Sequence, residues 1–526
     1  MKIKRMLALG NKGFLMPAVL SFIIVILIIS GAVLQIINTN LWNVNNNVKS
    51  QRAFNVAEAG INYYLWHLSH SSTDNYDGTG ACKNDIPALG CGGYKHDYVD
   101  SNAVKVGFYT LYIKPKGGGS TIVTVRSIGQ LYGDNNIRTV EAQIGATSFA
   151  SYGLVSDTAF WFGQYENASG PVHSNLGIRM DGANSDVVSS SNITYTPPPG
   201  YGGGTNKPGV WCDPSITTPV NCNTRNKTDW LFPKPTVNFA QVSGSLCTMK
   251  KVAFANDAAT AALANLANAC TQTPNTRTAA YVPKRASFST FGGYMIQLNN
   301  NGTYNLSRVD NENDTIAGPY TSAMTLTSVA TNIAIPSSGV IFVEDNVWVR
   351  SNPTFHGRVN IGAGQLNSAN NAQIIIADNL RYSVKDGTDV IGLVAEDSVL
   401  VAPYAPPWPG SAGFNFEIDA AALASTGKVT YPSRYRRNNA CTRGWVNSNQ
   451  TFTFYGSAAT RQAWTWNIFG GSCGDRVFDA TLGYYISGVE HTDTQYDYNL
   501  LYAPPPSYPL TSGYQIISWR EVLTHP

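Results

Sequence analysis

An uncharged apolar run from Phe14 to Ile37 constrains this chain more than any other feature. Its roughly 24 residues exceed the roughly 20 needed to cross the hydrocarbon core of a bilayer. The soft or polar interruptions are Ser21, Ser30, Gly31 and Gln35. The run is too long for the apolar region of a secretory signal, about 7 to 15 residues, and no small-x-small cleavage site follows it. Lys2, Lys4, Arg5 and Lys12 precede it. The excess of basic residues on that side places the N-terminus in the cytoplasm and the rest of the chain outside. Phe14, Leu20, Ile24, Leu27 and Leu34 are the expected membrane-anchor residues.

The helical pattern does not stop at the membrane. Ile37, Leu41, Val44 and Val48, then Phe54, Ala57, Ile61, Tyr64 and Leu68, recur at steps of three and four, which is one face of a helix. Neither Pro nor Gly lies between Ala32 and Ala59, so nothing local breaks it. At 1.5 Å per residue, a helix from Phe14 to Leu68 is a rod of about 80 Å.

A chain of 526 residues with 13% charged and 11% aromatic side chains reads as an exported, β-rich surface protein and disfavours a cytosolic enzyme. A net charge of +3 spread over that length supplies no basic footprint for nucleic acid. All eight cysteines lie beyond the apolar run. An even count outside the cytoplasm argues for disulfides. Local pairing is expected: Cys82 with Cys91, Cys212 with Cys222, Cys247 with Cys270, Cys441 with Cys473. Other connectivities stay open on sequence alone. No Cys-x-x-Cys occurs, which argues against a zinc site.

The fold class expected is mainly β with one long N-terminal α-helix. Phe108–Ile113, Thr121–Arg126 and Arg138–Ile144 alternate apolar and polar residues and are separated by Gly117-Gly118-Gly119 and Gly133-Asp134-Asn135-Asn136, an antiparallel meander. A weak repeat follows, in which apolar residues, an Asp and an alternating strand recur around Asp157, Asp345, Asp378 and Asp397; with Val359-Asn360-Ile361-Gly362 as an intervening coil, the spacing from Asp345 to Asp397 is about 16 to 19 residues per unit. Short β repeats of that length suggest a parallel β-solenoid, with an irregular sandwich as the alternative. Pro197 to Gly204 opens what reads as an insertion, inside which Asn256 or Asp257 is placed to cap an alanine-rich helix running to Ala269. The division expected is a leader at 1–13, membrane and stalk helix at 14–70, meander at 71–148, and a solenoid-like head at 149–195 and 335–403. A disulfide-stapled insertion at 196–334 and a C-terminal β-rich module at 404–526 complete it.

Lys12-Gly13-Phe14 followed directly by an apolar helix, and then Gln51-Arg52-Ala53-Phe54-Asn55-Val56-Ala57-Glu58-Ala59-Gly60, resemble the N-terminus of type IV pilins, specifically of PilX-type minor pilins with their AF..AEAG segment. The resemblance covers about the first 70 residues, or about 145 with the meander. It implies cleavage between Gly13 and Phe14 by a prepilin peptidase, methylation of Phe14, and packing of the helix against those of other pilin subunits. One departure stands out: the fifth residue after the junction is Ala18, where most pilins have Glu, and Pro17 sits beside it. A plain signal-anchor helix is the alternative.

Catalytic signatures are scarce. No Gly-x-Ser-x-Gly, P-loop or His-Glu-x-x-His occurs. Asp345, Asp378 and Asp397, near Arg350 and Arg381, are the acidic candidates, since a polysaccharide-degrading β-helix sets its carboxylates on one face of successive coils. As turn residues they would instead bond to nearby backbone amides. Asp310-Asn311-Glu312-Asn313-Asp314 has calcium-like alternation but Thr315 where a Gly is required. Glu490, His491, Asp493 and Asp497 are close enough in sequence to hold a metal, in a spacing that matches no ligand pattern. Aromatic residues, such as those from Tyr404 to Trp408, could stack on sugars. The reading that follows is a membrane-anchored minor pilin with an adhesive extracellular head, without catalysis, cofactor or metal. Its expected partners are other pilin subunits, the membrane and a glycan or surface ligand. An anchored polysaccharide-degrading β-helix and a filament-capping secretion pseudopilin are the alternatives.

Overall fold

Helix α1 spans Leu15–His70 without a break in the computed structural model. The structure describes residues 15–523 apart from 72–73, 75, 79–81, 87–88, 115–121, 290–291, 314–318, 403, 406–415, 432–451, 470–476, 480–483 and 489–491. Every side chain from Met16 to Asn45 is exposed. From Ala53 onward one face is buried: Ala53, Val56, Ala57, Gly60, Ile61, Tyr64, His67 and Leu68.

That face lies on a six-stranded sheet ordered Asp85–Ile86, Gly90–Val99, Lys105–Lys114, Val123–Leu131, Ile137–Ser148, Leu510–Val522, whose first five strands pair antiparallel. The meander is therefore larger than the three strands expected, and its final strand comes from the far end of the chain. The C-terminal residues from Gln515 form one compact unit with residues 1–115 and 123–144, while 116–122 and 145–514 form the second. On the strand Val123–Leu131, alternate residues from Val123 to Leu131 are buried, Ser127 and Gly129 among them. A Cβ on Gly129 would stand 2.3 Å from the Ala53 carbonyl and 2.4 Å from the Ala57 nitrogen, and one on Gly60 would stand 2.2 Å from Ser127 Oγ. The small residues of the Ala53/Ala57/Gly60 face thus bring the helix backbone into direct contact with the strand. Beside this joint, Phe54 meets Trp519 edge-on at 5.7 Å, and Arg138 lies over the Phe54 ring at 5.2 Å.

The second unit is built from parallel strands that alternate between two sheets. Val340–Val343, Arg358–Ala363, Val390–Ala395, Phe416–Ala424 and Phe452–Thr460 stack in one sheet, with Ile341, Ile361, Leu393, Ala422 and Ala458 in register. Val347–Asn352, Ile374–Ile376, Val399–Val401 and Val429–Thr430, which intervene in sequence, stack in the other, with Trp348, Ile375, Leu400 and Thr430 in register. Each coil contributes one strand to each sheet. The earlier block adds strands to the large sheet at shorter period, Leu154, Val172 and Val188 being in register, while its alternate strands form a separate three-stranded sheet. The stacking order is the surprise: Leu154–Ser156 lies on Phe452–Thr460, with Leu154 opposite Ala458. The first coils in sequence are stacked on the last, so the two blocks form one continuous ladder in reversed order.

This placement redraws several boundaries. Phe416–Ala424 and Phe452–Thr460, expected in a separate C-terminal module, are interior strands of the large sheet. Val210–Trp211, Trp230–Leu231 and Tyr281–Val282, expected inside an insertion, extend the stack at its two ends. Gly293–Asn299, Thr303–Glu312 and Met324–Ala334 form an antiparallel extension of the second sheet.

The large sheet is apolar on both faces. Ile341, Val343, Ile361, Leu393 and Ala422 point into the core between the sheets, while Val340, Phe342, Val394, Ala421 and Leu423 point outward into a second core. Helix α2, Gln241–Ala255, helps to cover that outer face with Val242, Leu246, Met249, Ala253 and Phe254. The alanine-rich helix expected from Asn256 to Ala269 is not what forms. Asn256 ends α2, and Ala261–Ala264 is a single turn. The large apolar side chains that can anchor a helix on the sheet precede Asn256, and alanines alone bury too little to compete. Cys82–Cys91, Cys212–Cys222 and Cys247–Cys270 are joined as disulfides. Cys441 and Cys473 lie outside the described residues.

Within the second core, Lys250 and Glu344 are fully buried and paired. Lys250 Nζ also donates to the Cys270 carbonyl at 3.0 Å, and the Tyr281 hydroxyl donates to Glu344 Oε2 at 2.6 Å. Burial pushes the Lys250 pKa down and the Tyr281 pKa up.

Two stability predictions follow from this packing. Gly129→Val, which forces a side chain into the helix backbone, should cost about 1–3 kcal/mol or more, read as a lower denaturation midpoint of the detergent-solubilised chain. An unchanged midpoint would contradict the close approach. Lys250→Met strands the Glu344 carboxylate without its ammonium and should cost about 3–5 kcal/mol. Lys250→Met with Glu344→Gln should recover much of that loss, and a double variant as unstable as the single would show that the pair is not the cause.

Candidate functional site: the bare helix and the charged face of the coil stack

Leu20, Ile24, Leu27 and Leu34 are 61%, 49%, 65% and 60% exposed. Exposure on this scale is not confined to one stripe. Phe22, Ile23, Val25, Ile26, Ile28 and Ile29 are exposed as well. No charged residue occurs between Leu15 and Val48. A helix that is apolar all round and touches nothing has no stable place in water. Its length and composition suit a bilayer. Among the described residues it is the one helix long and apolar enough to cross a membrane, with a mean hydropathy of 2.8 over its best window. The expected junction at Gly13 and Phe14 lies outside the described residues.

The three candidate acids do not converge. Strand register sets Val347, Ile374 and Val399 side by side. Asp345 and Asp397 therefore share one corner of the stack, two coils apart with Ala372 between them. Asp378 follows Ile376 at the opposite end of the strand. Two coil spacings amount to about 10 Å. Each side chain is engaged locally. Asp345 is buried, receives Arg285 Nε at 2.9 Å and Nη2 at 3.1 Å, and accepts the Asn346 N–H at 2.9 Å. Asp378 accepts the Asn379 N–H at 2.7 Å, with Arg350 Nη2 at 3.4 Å. Asp397 accepts Gln373 Nε2 at 2.5 Å and the Ser398 hydroxyl at 3.1 Å.

The other polar candidates are dispersed too. Asp310 receives Arg308 Nε at 2.5 Å and Thr327 Oγ1 at 2.6 Å, whereas Glu312 is buried and accepts Trp348 Nε1 at 3.0 Å and the Tyr404 hydroxyl at 2.5 Å. The two carboxylates thus serve different surroundings and do not form one oxygen cage. Asp314 and Thr315 lie outside the described residues, as do Glu490 and His491. Asp493 accepts Gln495 Nε2 at 2.6 Å. Asp497 is buried, caps the turn Tyr498–Leu501 and accepts the Tyr455 hydroxyl at 3.0 Å. Tyr404 is buried, and Trp408 is outside the described residues.

One cluster went unread in the sequence. Glu417 and Asp419 project from alternate positions of Phe416–Ala424, away from the apolar side chains Phe416 and Ile418. Lys385 Nζ bridges them, 2.7 Å from Glu417 Oε1 and 2.9 Å from Asp419 Oδ1. Arg381 Nε lies 2.9 Å from Glu417 Oε2, and the Tyr382 N–H donates to Asp419 Oδ2 at 2.9 Å. Burial pushes the Asp419 carboxyl up to about 6 despite the Lys385 hydrogen bond. Burial pulls the Lys385 pKa down, but its hydrogen bonds to Glu417 and Asp419 outweigh this and hold it above its ordinary value. The period-two spacing of Glu417 and Asp419 was the available signal. The lysine that joins them is remote in sequence.

The chain matches no protein-family model and no curated protein. Among solved structures it is similar to the competence-associated pilin ComZ from Thermus thermophilus, at 13% identity over 91% of this chain and 98% of that one, with a TM-score of 0.25. A likeness that weak carries no argument about fold or function.

Asp419 makes a pH prediction with a definite sign. Its folded pKa of about 6 lies above its ordinary value of 3.8, so protonation favours the fold. That stability is fully present below about pH 4 and is lost as the pH rises through about 6. Asp419→Asn should therefore cost more stability at pH 4.5 than at pH 7.5 when unfolding midpoints of the two proteins are compared. An equal cost at both values would contradict the assignment.

Proposed function

We propose that this protein is a membrane-anchored, pilin-like component of the cell surface, in which helix α1 holds the chain in the membrane and then among other pilin subunits. The observation that carries the reading is the contrast along α1. Its residues through Ile37 are apolar on every side, and those through Asn45 are exposed, while Ala53 to Leu68 dock one face onto an antiparallel sheet. A helix with half its length outside the fold is an assembly element. The second unit, which we read as a solenoid-type head, is displayed outside the cell, consistent with disulfides that persist in oxidising surroundings.

Within that reading the chain is a minor pilin of the PilX type, released from its leader between Gly13 and Phe14. Its role is structural and adhesive, not catalytic. The engagement of Asp345, Asp378 and Asp397 in corner hydrogen bonds, two coils or a strand length apart, supports that choice.

Mass spectrometry of the protein purified from cells with an active prepilin peptidase should find Phe14 at the N-terminus, methylated, and immunogold labelling should decorate filaments. An intact Met1 together with label restricted to the cell body would leave a plain signal-anchored surface protein in its place.

A further inference from the structure

The outer face of the three-stranded sheet Phe160–Phe162, Ile178–Met180, Val210–Trp211 carries a second ladder, whose Trp211 packs in a small buried cluster with Ala159 and Tyr195 while Tyr201 lies against it. Phe160, Phe162, Ile178, Met180 and Val210 fill the core. The alternate positions Trp161, Arg179 and Trp211 are in register across the three strands. The Arg179 guanidinium lies 4.6 Å from the Trp161 ring and 5.2 Å from the Trp211 ring, sandwiched between them. Its Nε bonds Asp181 at 2.6 Å and its Nη2 bonds Asp213 at 2.9 Å. Nη1 faces Gly202, where a Cβ would stand 2.9 Å away. Gly202 is left-handed, with φ 81°, and lacks the side chain that would close off that edge.

Trp161 ends the ladder. On the coil below, Thr460 pairs with Ser156, and Thr465 stands as many residues beyond Thr460 as Trp161 stands beyond Ser156. Thr465 thus occupies the next rung and bridges to Thr430 below it. A threonine is too small to cover an indole, and Trp161 keeps part of its surface exposed. Tyr201, also part-exposed, meets Trp161 at 6.4 Å and 57°, so the two rings form an open corner.

We propose that this corner binds a neutral pyranose, the sugar's apolar face resting on Trp161 and its hydroxyls reaching Arg179 Nη1 and the Asp213 carboxylate. Indole and phenol rings set at an angle match a ring that is apolar on its face and polar on its rim. The charges argue for neutrality: Arg179 and Lys207, whose Nζ lies 4.9 Å from the Trp211 ring, balance Asp181 and Asp213. The inference rests on the adhesive reading of the head and specifies its ligand class.

The test is a fluorescence titration of the full chain in detergent micelles with maltohexaose, cellohexaose and chitopentaose, and with oligogalacturonate as the acidic comparator. At least one neutral oligosaccharide should bind. Trp161→Ala should weaken it about tenfold or more, the equivalent of about 1.4 kcal/mol. Gly202→Asn, the side chain that best tolerates the left-handed backbone, places a group against Nη1 and should weaken it similarly in a chain that circular dichroism shows to be folded. Tyr498→Ser, an exposed tyrosine elsewhere, should leave it unchanged. Binding of oligogalacturonate alone, no binding of any neutral sugar, or binding indifferent to both Trp161→Ala and Gly202→Asn would each overturn the proposal. The readout needs no filament, so its failure leaves the filament result untouched, and the reverse also holds.

Discussion

A coil that buries one side of two short strands has no stability of its own, and the second unit depends on that constraint. Strands as short as Ile374–Ile376 and Val399–Val401 persist because each is sandwiched by in-register neighbours above and below. Stacking turns a weak interaction into a continuous core. The same constraint sets the stack's order: the coil ending at Thr460 needs a cover, and Leu154–Ser156 supplies it. Joining the blocks there removes two exposed ends that would otherwise present unpaired backbone.

The outward face of the large sheet poses a second problem, since Val340, Phe342, Val394 and Leu423 would otherwise meet water. Helix α2 is one answer. Gly362 lets it come close, for a Cβ there would stand 2.9 Å from Met249 Cε. Burying Lys250 beneath this helix is tolerable only because Glu344, the Tyr281 hydroxyl and a carbonyl surround it.

Much of the fold was legible because its signals are local. The uncharged run behind Gly13, the three-and-four spacing to Leu68 and the period-two strands at Phe108–Ile113 and Arg138–Ile144 all describe elements that the structure contains. The failures are long-range. Nothing around Leu154 says that it will meet Ala458, and nothing around Trp519 says that it will meet Phe54. The recurrence of Asp345, Asp378 and Asp397 in sequence does not tell which corner of a coil each one occupies. With two strands per coil, alternate corners separate Asp378 from the others. Lys385 could not be tied to Glu417 and Asp419 by sequence, since only the stacking of coils brings them together.

The six-stranded sheet takes its edge strand from Leu510–Val522, and Arg138 pairs with Glu521 at a sequence separation of 383. During synthesis that sheet stays one strand short while the whole coil stack is being made. A chain halted anywhere before Leu510 leaves the edge of Ile137–Ser148 open and the flank of Phe54 uncovered. Completion of the sheet that holds the helix thus waits on everything inserted between its fifth and sixth strands.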